Sequence, residues 1–117
     1  MAAKLSPIIN AEELLNLSNL SEIILIDARA GINAEENFKI EHLQGARYVD
    51  LNKDLATVEN PANGGRHPLP SFSKFSEVLS KLGISPTSYV VIYDDKNGSN
   101  AASRFWWMLK AIGHEQV

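Results

Sequence analysis

Two carboxylates, Asp94 and Asp95, hold the position in this chain best suited to chemistry. They follow Tyr89-Val90-Val91-Ile92-Tyr93, an apolar, β-rich run that reads as a buried strand, and they precede a long apolar helical stretch. In an open α/β sheet, the carboxyl end of such a strand, facing a helix N-terminus, is where ligands and reacting groups usually sit. Aspartates there serve most simply as turn and helix-capping anions, favoured by the positive end of the helix. A sharper chemistry is a phosphoacceptor aspartate, with Asp27 and Asp94 or Asp95 around Mg²⁺. It also needs a lysine ending a later strand, and none is visible. Capping is the favoured reading.

The remaining reactive side chains are few. The chain has no cysteine, which excludes disulfides, thiolate metal sites and cysteine nucleophiles within it. His67 stands between Arg66 and Pro68 in a stretch from Asn52 to Pro70 rich in Asn, Gly and Pro. Loops of that length inside a compact domain are uncommon and often functional, although a loop histidine is also simply a surface residue in a turn. Arg66 reads as a solvated charge before it reads as an anion-steering one. His42 and His114 fall at element ends and look structural. No two histidines have metal-ligand spacing, and Gly64-Gly65 is not followed by a phosphate-loop pattern. Neither a metal nor a cofactor is expected.

The elements that must position these groups follow from pattern. Asn10, with Glu13 three residues on, is a capping box opening a short helix over Ala11 to Leu17. Ile23-Ile24-Leu25-Ile26-Asp27 is an apolar strand ending, like the later one, in an aspartate. Residues from Ala28 to Glu41 look irregular, with a helical turn near Phe38 and Ile40. Arg47 to Val49 form a brief strand before Asp50. Phe75, Val78, Leu79 and Leu82 repeat at i, i+3, i+4 and i+7, the face of an amphipathic helix capped by Ser71 or Ser73, with Gly83 at C′. The last helix, about Asn100 to Ile112, is apolar around most of its circumference, with a narrow polar stripe of Ser103, Arg104 and Lys110. Trp106 and Trp107 diverge by ~100° on it, and core packing is the simplest role for at least one. Near-continuous apolar strands separated by helices argue for an α/β fold on a parallel sheet covered on both faces.

Composition sets the bounds. At 117 residues the chain is one domain by length, with 44% apolar and 21% charged residues, which is globular rather than disordered. A net charge of −3 gives no basic excess for nucleic-acid binding. No window is apolar for the ~18 residues of a membrane span, and the N-terminus lacks a signal-peptide core. The expectation is a soluble cytoplasmic protein. His114 to Val117 looks like the lead-in to another strand, so the single domain, residues 1–117, is expected to be incomplete at its C-terminus. Its last strand should then present an exposed edge prone to self-association.

Read together, certain segments resemble a known family. They are Ile24-Leu25-Ile26-Asp27-Ala28-Arg29, Phe38 with His42, Gly45, Ala46 and Arg47, Gly65-Arg66-His67-Pro68-Leu69-Pro70, Val90 to Asp95, Arg104 with Trp106-Trp107-Met108-Leu109, and Gly113-His114-Glu115. Their order and spacing are similar to the N-terminal, non-catalytic domain of two-domain rhodanese-like sulfurtransferases, acting on thiosulfate or 3-mercaptopyruvate. Gln44 departs from the family's usual proline. The resemblance implies a three-layer α/β/α rhodanese-like domain on a five-stranded parallel sheet; with the short extended piece Pro7-Ile8-Ile9 counted as the first strand, Tyr89 to Tyr93 is the fourth, and the fifth lies between the two. This chain would then be truncated before that fifth strand, its closing helix and the catalytic second domain, the expected partner.

The resemblance also implies roles for residues. A catalytic domain of the family carries cysteine where Asp94 stands, and its thiolate accepts sulfane sulfur as a persulfide and passes it to cyanide or a thiol. A carboxylate cannot do this, so no residue of this chain is expected to be catalytic. His67 matches a histidine that reaches across the domain interface and is associated with proton transfer, a role suited to a pKa of ~6.5. The position of the acidic residue that orients it is held here by Asn52, which can hydrogen-bond an imidazole but cannot stabilise its cation. His67, Arg66 and Asn52 are thus the expected active-site or interface contributors. The alternative is a stand-alone inactive rhodanese module that binds a partner or an anion.

Overall fold

The computed structural model describes residues 7–17, 23–56 and 68–117. The described elements run α1 (Ala11–Leu17), β1 (Ile23–Asp27), α2 (Ala34–Ile40), β2 (Arg47–Tyr48), α3 (Phe72–Lys81), β3 (Tyr89–Tyr93) and α4 (Ala101–Ala111). The strands form a parallel sheet in the order β2-β1-β3. β1 and β3 pair along their full length, from Ile23 opposite Tyr89 to Asp27 opposite Tyr93. This register sets the two strand-end aspartates, Asp27 and Asp94, at the same rim of the sheet.

Side-chain alternation divides the sheet into two unlike faces. Ile24, Ile26, Val90 and Ile92 point to one face and meet Phe75 and Val78 of α3, Leu82 at its C-cap, and Phe105, Met108 and Leu109 of α4 in a single core. Phe75 and Phe105 touch edge to face with centroids 5.9 Å apart, a geometry suited to the ring quadrupole. Burying a side chain such as Phe105 stabilises the fold by roughly 1.5–3 kcal/mol. The other face carries Ile23, Leu25, Tyr89, Val91 and Tyr93, all half-buried, and the fully buried Asp27. The continuous apolar run that predicts cover on both faces is therefore deeply covered on one, among the described residues.

Local chemistry explains the helix ends. The Asn10–Glu13 capping box forms reciprocally, Glu13 N–H donating to Asn10 Oδ1 at 2.8 Å and Asn10 N–H to Glu13 Oε1 at 3.3 Å. Ser71, rather than Ser73, caps α3 through the Lys74 N–H. Gly83, at φ +77°, takes the left-handed position that ends α3, and Ile84 N–H reaches back to the Leu79 carbonyl at 2.9 Å.

Two stretches are more ordered than their sequence suggests. Residues 34–40 form two helical turns rather than one, with Glu35 and Glu36 at the positive end and Lys39 near the negative end. His42 then stacks on Phe38 at 3.9 Å and bonds the Phe38 carbonyl through Nδ1. Residues 51–54, which open the long loop, wind into a turn because Asp54 N–H and Leu55 N–H both return to the Asp50 carbonyl.

The α4 core contribution also differs from expectation. Phe105, Met108 and Leu109 are buried, whereas Trp107 is 53% exposed and Trp106 only half-buried. Beyond α4, Val90 N–H donates to the Gln116 carbonyl at 2.9 Å, so the C-terminal segment lies on the β3 edge opposite β1. Among the described residues, Trp106 Nε1 and Gln116 Oε1 are buried and meet no hydrogen-bond partner.

Candidate functional site

The loop from β3 to α4 is built around one carboxylate. Asp94 Oδ1 accepts from the Lys96 and Gly98 N–H groups, both at 2.8 Å. Its Oδ2 accepts from Asn100 and Ala102 N–H, both at 3.1 Å. Asn97 at φ +55° and Gly98 at φ +77° take left-handed conformations. Such positions turn successive N–H groups inward, the geometry of an anion nest, and the first turn of α4 adds the helix dipole. Asparagine and glycine are the residues that tolerate this backbone. The Ser99 and Ser103 hydroxyls tie the loop further, donating to the Lys96 and Asn100 carbonyls.

Burial is the largest single influence on the Asp94 carboxyl and pushes its pKa up. The bonds from Lys96, Ala102, Gly98 and Asn100 together outweigh it and hold the group below the ordinary aspartate range. The cradle is thus an anion site already occupied by the protein's own side chain. Asp94 fulfils the capping role expected for it, at a distance from the helix. Asp95 is exposed.

Asp27 plays a different part. Arg29 donates to it from its backbone N–H and from Nε and Nη2, the closest contact being 2.8 Å, and the Tyr93 hydroxyl donates at 2.9 Å. Arg29 also reaches the Glu41 carbonyl, and Tyr93 accepts from Leu43 N–H. Asp27 therefore ties the ends of β1 and β3 to the segment after α2. Burial raises the Tyr93 pKa, helped by the Asp27 bond, so this hydroxyl stays protonated as a donor. With its oxygens committed to Arg29 and Tyr93, Asp27 is not placed to share a cation with Asp94. Among the described residues no cluster of three metal-ligating side chains forms.

Asn52 is exposed on the turn after β2. That turn is fixed by Asp50, whose Oδ1 accepts from Asn52 and Lys53 N–H, both at 2.9 Å, while Tyr48 donates to Oδ2 at 3.2 Å. The following stem is held from two helices. Arg104 of α4 donates to the Leu55 carbonyl through Nε and Nη2 at 3.1 and 2.9 Å, and Lys74 of α3 donates to the Ala56 carbonyl at 2.7 Å. Arg66 and His67 lie outside the described residues, so the structure does not place them against Asn52 or Asp94. His114 bonds the Ser88 carbonyl through Nε2, as a residue at an element end can.

Sequence reasoning missed the Arg29–Asp27–Tyr93 clamp and the Arg104–Leu55 anchor. Both had a signal. Asp27 and Arg29 are two residues apart at a strand end, and Arg104 is a lone cation near the start of a mostly apolar helix.

The comparisons agree with this architecture. Residues 10–117 match the rhodanese-like domain, and the chain belongs to that family. It is similar to 3-mercaptopyruvate sulfurtransferase of Mus musculus, 34% identical over 90 residues, covering 76% of this chain and 29% of the relative. It is also similar to thiosulfate sulfurtransferase of Gallus gallus, 34% identical over 86 residues, covering 73% of this chain and 28% of the relative. Among solved structures, 3-mercaptopyruvate sulfurtransferase from Leishmania major superposes with a TM-score of 0.84 at 25% identity, covering 97% of this chain and 32% of that one. The chain thus spans about a third of the length of these relatives.

Proposed function

We propose that this chain is the N-terminal, non-catalytic domain of a sulfurtransferase that moves sulfane sulfur from thiosulfate or 3-mercaptopyruvate to a thiol or cyanide, and that it is inactive by itself. The observation that carries this reading is the Asp94 carboxylate seated in the anion cradle after β3. A thiol in such a cradle, surrounded by inward N–H groups at a helix start, would be held as a thiolate able to accept sulfur. A carboxylate cannot form a persulfide, and its charge repels anionic donors.

In this reading, a second domain supplies the cysteine, and the present chain walls the site from the opposite side. His67, Arg66 and Asn52 are the contributors proposed for that wall, His67 as a proton carrier. Asn52 supports an imidazole only as a neutral hydrogen-bond partner. The Asp50 turn and the Arg104 and Lys74 anchors fix the stem of the loop that carries Arg66 and His67. The fifth strand, its closing helix and the second domain belong to the parent protein, which we place in the cytoplasm. No helix among the described residues is long and apolar enough to cross a membrane.

The rival, a stand-alone inactive module, is weakened in its anion-binding form because Asp94 fills the cradle. In its partner-binding form it is separated by the parent reading frame. A second domain with a cysteine-bearing loop supports the sulfurtransferase reading, and a stop codon after one more strand supports the module. The direct assay is thiosulfate:cyanide and 3-mercaptopyruvate turnover by the purified chain. None is expected, and measurable turnover overturns the proposal.

A further inference from the structure

We draw no further inference here: the strongest candidate outside the site already described, the mixed-charge cleft of about 400 Å³ between β2 and α3 lined by Arg47, Tyr48, Asp50 and Lys81, has polar groups turned onto the protein itself, Tyr48 onto Asp50 and Arg47 onto the Leu82 carbonyl, and nothing in the structure points to a ligand for it.

Discussion

Replacing Asp94 tests whether the loop after β3 is organised by an internal anion. Four N–H groups converge on this carboxylate, two on each oxygen. Lys96 and Asn100 are exposed, so water can take over their N–H groups when the side chain is removed. Gly98 is half-buried and Ala102 only 4% exposed. Their donors bear most of the loss, at about 1–3 kcal/mol for each group left unsatisfied. Allowing for relaxation of a surface loop, Asp94→Ala is expected to cost about 2–4 kcal/mol, a large part of the ~5–15 kcal/mol typical of a domain.

Asp94→Asn is the sharper variant. It keeps the shape but turns an NH₂ group towards two N–H donors, so it should lie within ~1 kcal/mol of the alanine variant rather than near wild type. Urea denaturation reads this as a lower midpoint at unchanged slope. The pH dependence gives an independent check. The Asp94 pKa is depressed in the folded state, so its contribution is complete above the ordinary aspartate value of about 3.9 and is lost as pH falls through the lower folded value. The asparagine variant should lose that acid-limb slope. An asparagine variant as stable as wild type, with the same acid limb, would refute the internal-anion reasoning.

Three further outcomes follow from the same geometry. Asp94→Cys places a thiol at the focus of the four N–H groups, and its pKa should fall below the free value of ~8.5; the pH dependence of iodoacetamide alkylation measures it, and an unshifted value means the donors do not converge there. Tyr93→Phe removes the bridge between Asp27 and the Leu43 N–H, at a cost of about 1–2 kcal/mol in urea denaturation. Faster amide exchange at Leu43 should accompany it, and unchanged exchange would show that the bridge does not hold that segment. The β3 edge opposite β1 is uncharged along Tyr89–Tyr93, and the Gln116 carbonyl bonds it at Val90. An uncharged edge bonded by a short segment rather than by a paired strand can exchange that segment for a strand of another chain, so this isolated chain is expected to self-associate, with a mass that rises with concentration in light scattering. A monomer with a cooperative melt would count against that exchange.

Much of the fold was legible because it depends on local pattern. The apolar runs at Ile23–Asp27 and Tyr89–Tyr93, the capping box at Asn10 and the helical face through Phe75, Val78 and Leu82 each depend on neighbours within a few residues, and the structure keeps all of them. Boundaries moved where longer-range contacts intervened, as at α2, where the stretch after the helix is tied by Arg29 and Tyr93. The tryptophan pair shows the limit of propensity. Composition favours burying an indole, but the core side of α4 is filled by Phe105, Met108 and Leu109.

The sequence alone determined the chemistry that this chain cannot perform. With no cysteine anywhere and aspartate after the β3 run, no thiolate can exist in the loop, whatever the fold. It also determined the order of elements, since periodicity and turn residues are local properties. Only the tertiary structure decided what Asp94 and Asp27 do. Two aspartates stand at the ends of two apolar strands, and the arginine two residues after Asp27 does not by itself say which donors reach either carboxylate. Folding brings Arg29 and Tyr93 onto Asp27 and makes it a structural clamp. It winds the Asp94 loop back through two left-handed residues, so that the carboxylate meets N–H groups two to eight positions ahead. The difference arises because a carboxylate's role depends on which donors reach it.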